Sequence, residues 1–135
     1  PFEDVKALNY GHLLNLSEEH LQHFLSFHTL EWNQKHELTD KFALTKVSGQ
    51  IENLNFMDSY NLVYYDAFAP SCQLHLWEKE VHEKIYNALR PGGVLVTYCT
   101  QGAFKRCLIS LGYQIEKLNG PGRKREMMRA TKPMN

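Results

Sequence analysis

An aspartate closes the run Asn61-Leu62-Val63-Tyr64-Tyr65-Asp66, the pattern of a buried strand whose last carboxylate projects at its carboxyl edge. A carboxylate so placed can serve general acid–base chemistry, although by spacing alone an acid at a strand end is more often a cap or turn residue. Cys99, after the run Val94-Leu95-Val96-Thr97-Tyr98, has the chemistry of a nucleophile, but no histidine is placed to activate it, and it reads as a buried thiol. His20 and His23 share a helix face three residues apart; no cysteine or acid at ligand spacing completes a zinc site, so they read as surface residues and no metal is expected. Cys72, Cys99 and Cys107 form no CxxC pair, and an odd count speaks for reduced thiols rather than a disulfide framework.

The elements that must position these groups follow from periodicity and punctuation. Residues 2–10 are weakly helical. Ser17-Glu18-Glu19 opens a stronger helix, with Leu21, Phe24, Leu25 and His28 at helical spacing and an end expected near Trp32. Residues 42–48 alternate as a strand, with Gly49-Gln50 as its exit, and residues 54–60 read as loop. Trp77, Val81, Ile85, Ala88 and Leu89 mark a helix stopped by Arg90-Pro91-Gly92-Gly93. A strand at 94–99, a helix at 101–111 closed by Gly112, and strands at 113–118 and 125–131 around the Asn119-Gly120-Pro121-Gly122 turn complete the order. This order predicts an α/β fold with a mostly parallel sheet and a C-terminal β-hairpin. In such sheets ligands sit outside the carboxyl ends of the strands; those ends are Gly49-Gln50, Asp66-Ala67-Phe68 and Tyr98-Cys99-Thr100.

The 135 residues suit one domain, and 43% hydrophobic with 22% charged residues is a globular composition. Fifteen bases balance fifteen acids, but unevenly: residues 1–60 hold four bases against nine acids, and residues 101–135 eight against two. The basic tail, with Arg123, Lys124, Arg125, Arg129 and Lys132, has the composition of a solvated surface, and equally offers a phosphate contact that Lys105 and Arg106 extend, with a structural role for Arg125 and Glu126 near the site as the rival. No apolar run approaches the ~18–20 residues that cross a bilayer, and the first residues lack signal-peptide order. A soluble, cytoplasmic protein without membrane contact is expected.

Asp66-Ala67-Phe68-Ala69-Pro70, then Leu76-Trp77, then residues 89–98 through the Pro-Gly-Gly turn, and the tail Gly122-Arg123-Lys124-Arg125-Glu126-Met127, together resemble the methyltransferases that complete 5-methylaminomethyl-2-thiouridine at the tRNA wobble position. The resemblance covers residues 61–130. It implies a Rossmann-like fold, S-adenosylmethionine as cofactor, tRNA as partner, and methyl transfer to the amine of a 5-aminomethyl-uridine. Asp66 is then the catalytic carboxylate that accepts a hydrogen bond from the amine. Phe68, Pro70, Trp77 and Tyr98 wall the substrate pocket around an extruded base, while Gln50, Asp66 and Ala67 meet the cofactor and Lys105, Arg106, Arg123, Lys124 and Arg125 meet RNA. For Trp77 and Tyr98, core packing remains an equal reading.

The sequence departs from this family in lacking a glycine-rich cofactor loop before residue 42. The expectation is a single partial methyltransferase domain over 1–135, with that loop upstream of Pro1. In the family's strand order the missing strands would separate the strand at 42–48 from the one at 61–66. Buried backbone groups do not stay unpaired, so rearrangement, pairing with a second chain, or further residues upstream is expected. Leu74 replaces a common proline, and Gln50 a common acid. The rival readings are a non-catalytic RNA-binding or interaction module, and half of a nucleotide-binding oxidoreductase, which is disfavoured because its dinucleotide fingerprint is equally absent.

Overall fold

The computed structural model describes residues 2–120 and 126–134, in two compact units, Pro1–Gly49 and Gln50–Asn135. In the first unit, α1 (Phe2–Lys6) and α2 (Tyr10–Leu13) fill the weakly helical stretch. Helix α3 (Glu18–Thr29) starts where its capping residue dictates: Ser17 Oγ accepts the His20 backbone N–H at 3.2 Å, and Glu18 and Glu19 sit in the positive first turn. It ends at Thr29, short of Trp32, because the chain turns extended at Leu30 and Trp32 bridges Lys46. The Lys46 ammonium lies 5.0 Å from the Trp32 ring centroid, a cation–π contact that favours this path.

The strand expected at 42–48 is shorter and pairs differently. It forms β2 (Phe42–Thr45), antiparallel to β1 (Lys35–Thr39), with Lys35 opposite Thr45 and Thr39 opposite Phe42. This corrects its assignment to the parallel sheet. Closing a turn over residues 40–41 costs far less chain entropy than recruiting a distant parallel partner. The signal for β1 is the half-burial of His36 and Leu38 between exposed Lys35, Glu37 and Thr39, an alternation of period two.

The second unit is the α/β layer. After a short 3-10 turn at Ile51–Asn53 come β3 (Tyr60–Tyr65), a 3-10 turn at Leu74–Trp77, α4 (Lys79–Ala88), β4 (Leu89–Thr97), α5 (Gly102–Ser110), β5 (Gln114–Asn119) and β6 (Glu126–Thr131). The strand order is β3-β4-β6-β5. Only β3–β4 is parallel; β4–β6 and β6–β5 are antiparallel. The expectation of a mostly parallel sheet is therefore corrected to a mixed one. The returning arm of the final hairpin inserts between β4 and β5, and a strand that reverses beside its predecessor must run against both neighbours.

Register sorts the side chains by face. Val63, Leu95, Ala130 and Ile115 stand across all four strands, and Tyr65, Thr97 and Met128 form the next row. Against this face pack Val81 and Ile85 of α4 and Phe104 and Leu108 of α5, apolar residues that recur at helical spacing. Leu89, Leu95 and Leu108 have no exposed surface, and each such burial contributes roughly 1.5–3 kcal/mol. The opposite face carries Tyr64 and Leu62, which stay exposed, and the Arg129–Glu116 ion pair across β5 and β6. Arg90-Pro91-Gly92-Gly93 does not simply end α4 but bulges inside β4, where pairing jumps from Tyr60–Leu89 to Leu62–Val94. Gly92 has φ +77°, and a Cβ at Gly93 would stand 2.7 Å from the Arg90 carbonyl, so both positions require glycine.

The bulge is pinned by one cation. Lys132 Nζ donates to the Leu89 carbonyl at 2.6 Å, the Tyr86 carbonyl at 3.1 Å and Asp58 Oδ1 at 3.1 Å, and its side chain is 12% exposed. It satisfies carbonyls that α4 and the β4 start leave without intrahelical donors. Lys132→Met is expected to lower the urea-unfolding free energy by roughly 2–3 kcal/mol, because two carbonyls lose a charged donor. Asp58→Asn, at an exposed partner, should cost under about 1 kcal/mol. Equal losses in the two variants would show that the exposed ion pair, not the carbonyl contacts, carries the effect.

Candidate active site

Tyr65 stands opposite Thr97, so β3 and β4 end together and residues 66–70 and 98–101 leave the sheet side by side. Between them opens a cavity of about 300 Å³ lined by Asp66, Ala67, Pro70, Trp77 and Tyr98. Thr100 and Gln101, which lead into α5, line it too. Asp66, the first residue past β3, is exposed, and among the described residues no side chain is hydrogen-bonded or ion-paired to it. Phe68 does not line the cavity; its ring is 73% exposed while its backbone is fixed.

Two hydrogen bonds from buried rings do the fixing. Trp77 Nε1 donates to the Phe68 carbonyl at 2.7 Å, and the Tyr65 hydroxyl donates to the Leu76 carbonyl. The loop after β3 and the 3-10 turn before α4 are thereby tied to each other and to the sheet. Burial, with the negative charge of Glu52 adding to it, pushes the Tyr65 phenol up to about 12, so it remains a donor throughout the ordinary pH range. Trp77 is 9% exposed and meets Phe104 edge-on at 4.8 Å and Tyr65 at 5.2 Å. It is both core and cavity wall, so neither sequence reading of Trp77 excludes the other. Tyr98 is 41% exposed.

His82 was not singled out by the sequence. It lies on the inward face of α4 with no exposed surface, and neither ring nitrogen has a hydrogen-bond partner. The available signal was a polar residue between Val81 and Ile85 in an apolar helical stripe. Gln50 does not line the cavity; it caps the Ile51–Asn53 turn, and its side-chain oxygen accepts from Asn53 at 3.5 Å. Lys105 and Arg106 lie on α5, half-buried and exposed respectively. Arg123, Lys124 and Arg125 lie outside the described residues. Among the described residues no three His, Cys, Asp or Glu side chains gather as metal ligands do, and no helix there is long and apolar enough to cross a membrane.

A mixed α/β sheet with a cavity at the carboxyl ends of adjacent parallel strands is the arrangement of a Rossmann-like ligand-binding domain. The profile of the S-adenosyl-L-methionine-dependent methyltransferase family matches residues 12–133, and the chain belongs to that family. It is similar to the tRNA 5-methylaminomethyl-2-thiouridine biosynthesis bifunctional protein MnmC of Psychrobacter sp. (strain PRwf-1), 35% identical over 91 residues. The protein of the same name from Nitrosospira multiformis is 33% identical over 91 residues. These stretches are 67% of this chain but only 12% and 14% of the relatives. Among solved structures, MNMC2 from Aquifex aeolicus matches with a TM-score of 0.64 and 22% identity, over 84% of this chain and 39% of that one, a likeness of fold. The resemblance drawn from residues 61–130 is thus borne out.

S-adenosylmethionine is the cofactor of this family. A cavity of about 300 Å³ is at the lower limit of the roughly 300–1,000 Å³ typical of small-ligand sites, room for a reacting end rather than a whole nucleoside with its side chain. Trp77→Phe should keep the fold yet remove the donor to the Phe68 carbonyl. Amide hydrogen exchange at residues 67–69 is expected to speed up about fivefold, as loss of roughly 1 kcal/mol of local stability requires; unchanged exchange would mean that Trp77 does not hold the loop.

Proposed function

We propose that this chain carries the amine-side half of a tRNA-modifying methyltransferase site, acting on the primary amine of 5-aminomethyl-2-thiouridine at the wobble position. The observation that carries the reading is Asp66, an exposed carboxylate at the end of β3 beside an aromatic-walled cavity. The names of the relatives, which speak of 5-methylaminomethyl-2-thiouridine biosynthesis in tRNA, favour this substrate.

When bound, S-adenosylmethionine supplies an electrophilic methyl on a sulfonium, which leaves as a neutral thioether. An alkylammonium has no lone pair and must lose a proton before its nitrogen can form the new bond. The ammonium gives its proton to solvent, Asp66 accepts a hydrogen bond from the neutral amine and aims its lone pair along the line of transfer, and the secondary ammonium that forms releases its extra proton to solvent. Pro70, Trp77 and Tyr98 exclude water around the nitrogen, and the exposed Phe68 ring offers a stacking surface to a base drawn out of the anticodon loop. Lys105 and Arg106 on α5, with Arg123, Lys124 and Arg125, are proposed to meet tRNA phosphates and to make binding salt-dependent. Arg129, Lys117 and Lys132 are already engaged by Glu116, Glu126 and Asp58, so they rank behind these five.

Asp66→Asn is expected to lower methyl transfer to aminomethyl-uridine tRNA by roughly 10²-fold or more, with the affinity for S-adenosylhomocysteine nearly unchanged. Undiminished transfer would remove Asp66 from the mechanism. No transfer by any form of the protein, with tRNA binding that is lost when Arg123, Lys124 and Arg125 are neutralised, would favour the non-catalytic RNA-binding reading.

A further inference from the structure

A histidine with no exposed surface and two unpartnered ring nitrogens is a costly core residue, since a buried polar atom normally finds a partner. What surrounds His82 is a ring cluster directly behind the cavity. Phe104 of α5 lies 4.6 Å away, Tyr65 of β3 5.0 Å, and Trp77 of the 3-10 turn 6.2 Å, centroid to centroid. Two of these three, Tyr65 and Trp77, also line the cavity and make the two hydrogen bonds that fix the loop after β3. His82 is therefore the ring shared by both anchors.

We infer that His82 is a positioning residue for the site: packed against Tyr65, Trp77 and Phe104, it sets where Trp77 stands and, through the Trp77–Phe68 hydrogen bond, where the loop bearing Asp66 runs. The inference rests on the methyl-transfer reading only in its kinetic consequence. Its structural half concerns Trp77 and stands alone.

The same packing makes the arrangement acid-sensitive. Burial draws the imidazole down from 6.5 to about 4. The nearby Leu76 carbonyl pulls the other way, although neither ring nitrogen reaches hydrogen-bond geometry with a partner. Of the facing groups only the Tyr65 phenol titrates, and it stays protonated; Trp77 and Phe104 carry no titrating group. Glu52 reaches Tyr65 through its charge. On α4 and at its N-cap, Glu78, Lys79, Glu80 and Glu83 are exposed and Lys84 is half-buried. Among the described residues no carboxylate pairs with His82. The unfolded chain takes up this proton near pH 6.5 and the folded chain only near pH 4, so unfolding binds a proton inside that window. The stability present above pH 6.5 falls as pH drops through the window and levels off below about 4.

The test uses the full chain with Trp32→Phe, so that Trp77 is the sole tryptophan, and follows its fluorescence from pH 7 to pH 3. A change centred in the acid window is expected, absent in His82→Phe, which keeps a ring in place and cannot titrate, while Trp77 emission at pH 7 is the same in both. The same acid change in His82→Phe, or none in the parent, overturns the inference. In methyl transfer, His82→Ala should lower kcat by about 10²-fold with KM for S-adenosylmethionine little altered, the scale of a misplaced reacting group, and His82→Phe should restore it. Should His82→Ala fail to fold, the His82→Phe comparison still decides. Should no form transfer methyl, the fluorescence arm judges the packing, and the fault lies with the functional reading.

Discussion

Parallel pairing of β3 with β4 is the constraint on which the rest of the site depends. Strands that run the same way in register must end at the same edge, and with Tyr65 opposite Thr97 the two following loops have no choice but to lie together. An antiparallel partner for β3 would have put a strand's amino end beside Asp66, and the cavity would not exist. The register in turn rests on the bulge at Arg90-Pro91-Gly92-Gly93, which absorbs the extra residues between Leu89 and Val94. Lys132 fastens this bulge from the last strand's end by binding the Tyr86 and Leu89 carbonyls, so the end of β6 helps to set the geometry at the end of β3.

Two buried polar side chains behave in opposite ways. Lys132 is nearly enclosed but fully partnered, by two carbonyls, Asp58 and the face of Tyr86; such a group stabilises because each donor is used. His82 is wholly enclosed and unpartnered. Structures tolerate that kind of deficit where a site requires it, and His82 lies against the rings that line the cavity, whereas Lys132 lies at the bulge.

The succession of helices and strands along the chain was largely legible because its punctuation is local. Ser17 caps α3, Gly112 closes α5 and β-branched residues build β4, each signal acting within a few positions. Asp66 could be placed at a strand end for the same reason. Pairing was less legible, because it is a choice among partners. The strand at Phe42 took its neighbour Lys35–Thr39, and with that the reading of Gln50 as an exit from the main sheet lost its basis. β6 was seen as a hairpin arm, but nothing local says that it inserts beside β4. His82 was invisible because one histidine in an apolar stripe has no periodic signature; only the three-dimensional convergence of Tyr65, Trp77 and Phe104 gives it meaning.

The stretch of this chain that matches its curated relatives is 12–14% of their length, and the proposed methyl-transfer site lies where β3 and β4 end together. The most direct measurement is a nuclear magnetic resonance titration of the chain with S-adenosylhomocysteine. Shifts concentrated in residues 66–70 and 98–101 are predicted, with Trp77 Nε1–H moving alongside them. Shifts confined to other segments, or none in either loop at saturating ligand, would contradict the placement of the methyl-transfer site between β3 and β4.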